Sequence, residues 1–562
     1  MELIKTIVFS QYSGIFNAKN GKSRFWMFPD FYDKVKKRFS QITSMKKLRI
    51  SQNHIVIFCG AVMFLISAVV LGLLTFESAR GSYHSPKEYI LYNWSIPAAD
   101  SLFKNALYCA GGIIVLFIFC RLAKKYEKAF LFMEPVVLTV FAVIYTILGL
   151  VYVLNSPYYP TGDQISTTAA AAYAIEGNYE MFQPLGYIGI FPFQKGLVFF
   201  YEIIFRIFGP FNYTPVKVMT VFMNTFTMIL GAKLVKDIGG GPASTMIYSF
   251  FMFSCLPYFY LLPYAYGDLP SIFGSMVMIF YFHRFITCRK WYYCVLALLG
   301  SVFAVMTRGT SWITLIALII VAAFISIRDK KIIPVISMTA IALISYLLVS
   351  AVSLGYEKAS GYDKDTGSPF ISILAMGMMD SWGGPGVFNR YPWIVYDKYG
   401  ADRELASEES RQYICERLKE FSADPAMTAD FYERKINQQW TEPLYEVTTH
   451  TYSLKEDEIP EITGFYDSYY FGRVNDISFK FMNRYQTFVY LIAFLYAIKC
   501  LWDTINKKGN VSIYLWFFYI HLIGGFILSV IWESKARYII PFLIFLLPVV
   551  ALFFDKNKKA GA

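Results

Sequence analysis

The stretch that decides the fold is FLFMEPVVLTVFAVIYTILGLVYVL, residues 130–154, which is followed by YYPTGDQ, residues 158–164. The first part has 25 residues and a single charge, so as a helix it is long enough to cross a bilayer. Asp163 then follows a few residues after the predicted membrane exit. A carboxylate preceded by a glycine at a membrane interface suggests a chemical role.

The rest of the chain has the same apolar character. Of its 562 residues, 56% are hydrophobic, 19% are aromatic and 16% are charged, whereas a typical soluble domain has about 25% charged residues. The mean hydropathy is +0.43. We therefore predict an all-α polytopic membrane protein, because helices satisfy their own backbone hydrogen bonds in lipid. Hydropathy predicts about twelve transmembrane helices, at residues 54–76, 106–122, 129–154, 215–236, 242–262, 269–286, 291–306, 310–327, 332–354, 484–502, 511–531 and 538–554.

Basic clusters predict which side faces the cytoplasm. Eleven Lys and Arg precede residue 54, and further clusters occur at 121–128, 284–290, 328–331, 507–508 and 556–559. With twelve spans these clusters all fall on one side, which the positive-inside rule assigns to the cytoplasm. We expect a multi-pass protein of the plasma membrane with both termini cytoplasmic and its active site extracytoplasmic. Segment 193–208 is apolar too, but counting it as a span would reverse this pattern, so we predict an interfacial helix there.

Five segments follow from this topology. They are a cytoplasmic basic segment (1–53), two additional transmembrane helices (54–128), a transmembrane core (129–354) with a first outer loop (155–192), an extracytoplasmic segment (355–483), and the C-terminal helices with a basic tail (484–562).

The extracytoplasmic segment, called the outer segment below, has a charge opposite to that of the whole chain. It contains 22 Asp and Glu against 13 Lys and Arg, although the chain carries a net charge of +12. Its 129 residues are enough for a small soluble domain of mixed structure, and Cys415 is its single cysteine. Because the basic residues elsewhere are divided among loop ends, we expect no nucleic-acid partner.

Acidic residues in the predicted outer loops are candidates for chemistry. Asp163 could accept a proton from an acceptor hydroxyl as a general base, or it could simply cap the following helix. Glu176 is a second acid in the same loop, and a solvated helix end is the alternative for it. Tyr266-Gly267-Asp268 lies between two spans, so Asp268 could face the same cavity as Asp163 and help to hold a divalent cation. A tight turn is the alternative for this motif.

Positive charges on the predicted outer side are unusual and therefore informative. A charge at membrane depth is costly and tends to be functional, and Arg and Lys at the headgroup level could bind a lipid-linked phosphate. The candidates are Arg308, Lys535, Arg537 and Lys195. Glu533 could orient them, although Glu533 and Arg537 are four residues apart and could instead form a helical ion pair.

The outer segment also offers residues suited to sugars. Aromatic faces stack on the apolar face of a sugar ring while nearby polar groups bind its hydroxyls. The candidates for acceptor or sugar binding are Trp382, Asn389, Arg390 and Trp440, together with Tyr266. An aromatic belt at the membrane surface is the alternative. The sequence has no Walker motif, no Gly-x-Ser-x-Gly and no His-Glu-x-x-His, so nucleotide-driven transport and common hydrolase chemistry are not supported.

Together these residues resemble the GT-C superfamily of membrane glycosyltransferases, especially bacterial relatives of the protein O-mannosyltransferase and lipid A aminoarabinose transferase group. The resemblance covers roughly residues 129–550 in layout. It rests on Gly162-Asp163 after a long span, Gly177-Asn178-Tyr179, Tyr266-Gly267-Asp268, and Glu533, Arg537-Tyr538 and Pro541 at the last span.

This resemblance implies a GT-C-like fold and an inverting transfer of sugar from a polyprenyl-phosphate donor in the bilayer. Asp163 would be the catalytic base, while Arg308, Lys535 and Arg537 would stabilise the departing lipid phosphate. The protein-modifying members carry a paired acidic motif where this chain has Asp163-Gln164. We therefore expect a glycan acceptor, a cell-surface glycopolymer, instead of a protein.

Other functions fit the same sequence. A lipid-linked sugar transporter or flippase also needs many spans and interior charges. A polysaccharide polymerase or ligase would depend on the outer arginines and not on Asp163. A non-enzymatic scaffold would leave Asp163, Asp268 and Arg308 without a role.

Overall fold

A computed structural model describes residues 52–85, 95–362, 367–452, 464–506 and 511–554. The chain divides into two compact units, Met1–Ile55 and Val56–Ala562. Of the first unit, only residues 52–55 are described, as the first turn of a helix. The rest of the predicted basic segment 1–53 and the basic tail beyond residue 554 lie outside the described residues. The other predicted segments belong to the second unit, apart from residues 54 and 55.

The described chain is built almost wholly of helices. They are α1 (Gln52–Arg80), α2 (Leu102–Lys125), α3 (Glu127–Asn155), α4 (Asp163–Ile175), α5 (Tyr187–Ile190), α6 (Lys195–Phe208), α7 (Thr214–Asp237), α8 (Pro242–Ser254), α9 (Leu256–Tyr260), α10 (Asp268–Cys288), α11 (Trp291–Thr307), α12 (Ser311–Asp329), α13 (Ile333–Ser360), α14 (Phe370–Gly377), α15 (Tyr391–Lys398), α16 (Arg403–Ala423), α17 (Pro425–Trp440), α18 (Val447–Thr451), α19 (Gly464–Phe471), α20 (Arg473–Ile505), α21 (Ile513–Ile531) and α22 (Ile540–Phe553). Single 3₁₀ turns occur at Glu180–Phe182, Pro192–Gln194 and Ala536–Ile539.

Strands are few and short in this part of the chain. β1 (Gly81–His84) pairs antiparallel with β2 (Ile96–Ala99), and β3 (Asp380–Ser381) pairs antiparallel with β4 (Gly384–Pro385). The two hairpins form separate two-stranded sheets. The outer segment is therefore mainly helical where it is described.

The prediction of an all-α polytopic membrane protein is confirmed in its coarse form. The described residues contain ten helices that are long and apolar enough to cross a membrane. They are α1, α2, α3, α7, α10, α12, α13, α20, α21, and α22 together with the 3₁₀ turn before it.

One of the twelve predicted spans is interrupted in the structure. Residues 242–262 form two helices, α8 and α9, which are interrupted at Cys255 ahead of Pro257, since proline removes a helical hydrogen bond. The predicted span 291–306 corresponds to α11, which at 17 residues is shorter than the ten helices named above. The predicted interfacial helix corresponds to α6, which is bent by 103° from Glu180–Ile190. That pair is long enough to count as an eleventh span, so the interfacial position of α6 stays a prediction.

The bundle has a buried centre and an exposed periphery. In the most apolar part of the last span, 83% of the residues are buried inside the protein, against 17% in α2. The last span is therefore a central helix, whereas α2 presents most of its apolar side chains outward, as expected of a helix that faces lipid. The candidate site lies where the central helices α10 and α22 begin.

Two aspartates begin the helices of the outer segment. Asp402 accepts hydrogen bonds from the backbone N–H groups of Glu404 and Leu405 at the start of α16. Asp424 does the same for Ala426 and Met427 at the start of α17. A side-chain oxygen at this position satisfies N–H groups that the helix cannot pair internally.

Candidate functional site

The loop before α10 brings Asp268 against the end of α11. A Cβ atom on Gly267 would lie 2.0 Å from the carbonyl oxygen of Thr307, so only glycine permits this close approach. Arg308 follows Thr307 directly and is thereby placed beside Asp268. The Tyr266-Gly267-Asp268 motif thus lets the start of α10 pack closely against the end of α11.

Asp268 lies between two arginines. Its Oδ2 is 3.1 Å from Nη1 of Arg308, and its Oδ1 is 3.8 Å from Nε of Arg537. The side chains of Asp268 and Arg537 are each 3% exposed, and that of Arg308 is 11% exposed. One buried carboxylate therefore faces two guanidinium groups, which leaves an excess of positive charge in this trio.

Tyrosine rings surround the two guanidinium groups. The Cζ atom of Arg308 lies 5.3 Å from the ring centre of Tyr266 and 5.0 Å from that of Tyr538. The Cζ atom of Arg537 lies 4.9 Å from Tyr264 and 5.2 Å from Tyr266. Such rings stabilise a cation without neutralising its charge, so the arginines keep their capacity for an anion.

Arg537 has hydrogen-bonding capacity that the protein does not use. Its Nε and Nη1 atoms are buried and donate no hydrogen bond within the described part of the chain. A buried donor without a partner costs about 1–3 kcal/mol. An oxyanion between Arg537 and Arg308 would supply the missing acceptor.

Asp163 lies on the exposed side of this cluster. It is the first residue of α4, its side chain is exposed, and it makes no capping hydrogen bond. The alternative interpretation as a helix cap is therefore not what the structure has. Its carboxylate interacts electrostatically with Tyr266, Glu533 and Arg537. The exposed acid and the buried arginines thus belong to one site.

The residue after Asp163 attaches α4 to the cluster. The amide oxygen of Gln164 accepts a hydrogen bond of 2.9 Å from the hydroxyl of Tyr158, and its Nε2 donates one of 2.9 Å to the hydroxyl of Tyr264. Because the ring of Tyr264 contacts Arg537, these bonds position Asp163 relative to the arginine. Gln164 therefore has a structural role. It occupies the position at which a paired acidic motif would have its second acid.

Glu533 and Lys535 lie in the loop between α21 and the last span. Glu533 is half-buried and accepts a hydrogen bond of 3.0 Å from the hydroxyl of Tyr538. Burial raises the pKa of Glu533 to about 7, and the charge of Lys535 opposes that shift. The helical ion pair considered for Glu533 and Arg537 is not formed, because residues 532–535 are not helical and Arg537 faces Asp268.

The outer segment contributes two buried groups to the same place. Nε2 of His450 lies 3.3 Å from Oε2 of Glu446, and both side chains are 8% exposed. Burial acts to raise the pKa of Glu446, but hydrogen bonding with His450 and the charge of Lys535 outweigh burial and lower it. Glu446 is therefore ionised at neutral pH. His450 in turn interacts electrostatically with Asp268.

Two predicted site residues lie apart from the arginine pair. The ammonium of Lys195 is 2.9 Å from Oε1 of Glu357, and both side chains are largely buried. Lys195 is thus neutralised within the protein, which argues against its predicted contact with a lipid phosphate.

Glu176 lies at the end of the 13-residue helix α4 that is opposite to Asp163, about 20 Å away at the usual helical rise. It is exposed, which fits the alternative of a solvated helix end.

The four sugar-binding candidates of the outer segment differ in exposure. Trp440 is fully buried, donates a hydrogen bond of 2.9 Å to Ser529 Oγ and packs on Tyr490. Its predicted stacking on a sugar is therefore wrong, because the ring belongs to the core. Trp382 is 92% exposed at the tip of the β3–β4 hairpin.

The other two candidates follow this hairpin. Asn389 accepts a hydrogen bond from the backbone N–H of Tyr391, and the exposed residue Arg390 precedes α15. Of the outer-segment candidates, Trp382 and Arg390 are thus the exposed ones. Tyr266, the fifth sugar-binding candidate, instead lies under the two arginines.

A metal site has little support from this arrangement. Across the described ranges, no group of three or more His, Cys, Asp or Glu side chains could hold a metal ion. The acid suggested as a cation ligand, Asp268, is engaged by arginines. The cluster suits an anion better than a cation.

Several site residues were not singled out from the sequence. Tyr187 interacts with both Asp163 and Tyr266, and Gln194 donates a hydrogen bond to the hydroxyl of Tyr266. Glu446 and His450 are 178 and 182 residues beyond Asp268 in the chain. The one signal in the sequence was that histidine is rare in this chain, which has five. Rarity does not show where His450 lies in the folded protein.

No protein-family model, no curated protein and no solved structure matches this chain.

Proposed function

We propose that the chain is an inverting membrane glycosyltransferase. It uses a sugar linked to polyprenyl phosphate and adds that sugar to a cell-surface glycopolymer on the outer face of the membrane. The observation that carries the proposal is the buried guanidinium of Arg537, whose Nε and Nη1 atoms donate no hydrogen bond among the described residues. It shares Asp268 with Arg308 and lies in a site that also contains the exposed carboxylate of Asp163.

The arginines suit a lipid phosphate. Arg537 and Arg308 lie where two apolar helices meet the predicted membrane surface, which is the depth of a phosphate attached to a buried prenyl chain. The negative charge on that phosphate grows as the bond to the sugar breaks. Preformed donors that face this charge stabilise the transition state more than the ground state.

Asp163 suits the role of general base in the reaction. The acceptor hydroxyl oxygen attacks the anomeric carbon, and the proton of that hydroxyl passes to the Asp163 carboxylate. The bond between the anomeric carbon and the phosphate oxygen breaks, and its electron pair leaves with the lipid phosphate. The exposure of Asp163 allows an acceptor on the aqueous side to reach it.

The acceptor would approach along the outer segment. Trp382 provides an exposed aromatic face, and Arg390 provides a nearby charge for polar groups on a glycan. Both residues follow α14 within a short stretch of chain. Two exposed groups in addition to Asp163 could contact further sugar units. They therefore support a polymeric glycan acceptor better than a small soluble sugar.

The test is sugar transfer by the purified full-length protein from radiolabelled polyprenyl-phosphate sugars. We expect Asp163→Asn to lower kcat by about 10²–10⁴-fold, the usual contribution of a general base. Glu176→Gln is the matched control, because Glu176 is an exposed acid on the same helix. Arg537→Gln should lower kcat/KM by about 10²–10³-fold, whereas Arg411→Gln on the exposed face of α16 should not.

Other outcomes would support other functions. Transfer that survives Asp163→Asn but not Arg537→Gln would favour a polymerase or ligase that depends on the arginines alone. Translocation of the lipid-linked sugar without transfer would favour a transporter. Equal activity of wild type and Arg537→Gln would contradict the phosphate site.

A further inference from the structure

Glu446 and His450 connect the outer segment to both sides of the arginine site. On one side, the ring of His450 lies 5.7 Å from the ring of Tyr264, which also contacts Arg537. His450 interacts with Asp268 on that same side. The pair therefore contacts the wall that carries the buried carboxylate.

On the other side, Glu446 faces the loop that leads to Arg537. Its carboxylate lies near the charge of Lys535 and the backbone N–H of Ala536. Ala536 directly precedes Arg537 in the chain. The charge of Glu446 therefore acts on the loop immediately before the arginine.

The backbone around Glu446 is held in an uncommon conformation. Tyr445 and Glu446 have φ angles of +53° and +56°, and two consecutive non-glycine residues in this region are strained. The carboxylate of Glu442 accepts a hydrogen bond of 2.7 Å from the N–H of Glu446. The hydroxyl of Tyr445 accepts one of 2.9 Å from Gln486. The surrounding structure thus holds the backbone from which the Glu446 side chain extends.

We infer that Glu446 and His450 are positioning residues for the lipid phosphate. They act on the loop of Arg537 on one side and on Tyr264 with Asp268 on the other, so that Nη1 of Arg537 faces the phosphate oxygens. Neither residue needs to touch the reacting atoms. This inference rests on the proposed function, because it assigns the pair to the phosphate site of that function.

Binding of a lipid phosphate tests the inference without catalysis. The purified full-length protein is titrated with a long-chain polyprenyl monophosphate in detergent, and with the polyprenol of equal length as the ligand that lacks the phosphate. Thermal stabilisation reports binding, since a ligand that binds the native state raises its apparent stability. The difference between the two lipids isolates the phosphate contribution.

The variants separate positioning from general packing. Glu446→Gln and His450→Ala should each raise the dissociation constant for the polyprenyl phosphate about tenfold, a typical effect of losing an orienting partner, with unchanged binding of polyprenol. His450→Gln keeps an N–H donor toward Glu446 and should restore most of the affinity. Glu416→Gln is the control, because Glu416 is an exposed carboxylate elsewhere in the outer segment.

In transfer assays, the same variants should raise the donor KM while kcat stays within about threefold. Phosphate-specific binding that stays within twofold of wild type in both Glu446→Gln and His450→Ala would overturn the inference. If Glu446→Gln does not fold, the comparison of His450→Ala with His450→Gln decides instead, and equal affinities of those two variants would count against it. Loss of phosphate binding in Arg537→Gln beside normal binding in Glu446→Gln would leave the proposed function intact and remove only the positioning role. Absence of phosphate-specific binding by wild type would overturn both.

Discussion

At the scale of single residues, Glu533 makes the site sensitive to pH. Its pKa lies at about 7 because of burial, so the carboxyl group is mainly neutral at pH 6 and mainly charged at pH 8. A donor phosphodiester keeps one negative charge over this range. We expect the donor KM to rise about fivefold from pH 6 to pH 8, as one added negative charge in a partly screened site costs ~1 kcal/mol.

The Glu533→Gln variant removes this titration. Its donor KM should stay constant from pH 6 to pH 8 and should match the low-pH value of wild type. The groups that act on Glu533 are Lys535, Asp163, Tyr538 and Glu446. If Glu533→Gln retains the full pH dependence of KM, another of these groups is responsible and our assignment to Glu533 is wrong.

At the scale of elements, the α10–α11 hairpin positions Asp268 and Arg308 through a close helix crossing. A Cβ atom on Gly300 would lie 2.7 Å from the backbone nitrogen of Met278 and 2.8 Å from the carbonyl oxygen of Gly274. We expect Gly300→Ala to destabilise the protein by about 1–3 kcal/mol, because the two backbones must separate. Thermal unfolding in detergent measures this change.

Gly111 in α2 provides the matched control for this crossing. A Cβ atom there meets no other atom within 4 Å, so Gly111→Ala should leave the melting temperature unchanged or slightly higher. Equal melting temperatures for wild type and Gly300→Ala would contradict the close crossing of α10 and α11.

Two tryptophans of the outer segment should behave in opposite ways. Trp440 is buried against Ser529 on α21, so Trp440→Ala should destabilise the protein by about 3–5 kcal/mol. Trp382 is 92% exposed, so Trp382→Ala should change stability by less than about 0.5 kcal/mol and raise the acceptor KM. Unfolding curves and acceptor titrations distinguish the two effects. A large stability loss in Trp382→Ala would contradict its free position at the hairpin tip.

At the scale of the whole molecule, two native cysteines test the predicted orientation. Cys415 in the outer segment and Cys288 at the end of α10 are both exposed thiols. We expect a membrane-impermeant maleimide to modify Cys415 in intact cells and to modify Cys288 only after permeabilisation. The physical reason is the positive-inside rule, which places the basic loop after Cys288 in the cytoplasm.

Mass spectrometry of the labelled peptides identifies each site. Cys415→Ser and Cys288→Ser serve as controls, because each should remove one labelled peptide only. Modification of Cys288 in intact cells with protection of Cys415 would reverse the topology and place the candidate site on the cytoplasmic face.

Much of the fold follows from local composition. Each of the ten apolar helices corresponds to a predicted span, because hydropathy over some twenty residues is a property of neighbouring positions. The one interrupted span, 242–262, breaks at Cys255 ahead of Pro257, which cannot donate a helical hydrogen bond. Protein neighbours can cover a broken or short helix that lipid alone would disfavour.

The candidate site could be predicted only in part. Asp163, Asp268, Arg308 and Arg537 stood out because charges beside apolar spans are rare, and the structure brings them together. Lys195 stood out for the same reason, yet Glu357 neutralises it. A rare charge is visible in the sequence, whereas the partner of that charge is not.

The sequence by itself therefore determined the class of protein, most of its apolar helices and the charged residues that need an explanation. Only the tertiary structure decided that Trp440 is core, that Asp268 lies between two arginines, and that Glu446 and His450 reach the site from the outer segment. The physical reason is distance along the chain. Hydropathy acts between neighbouring residues, whereas ion pairs and buried hydrogen bonds join residues that only the folded chain brings into contact.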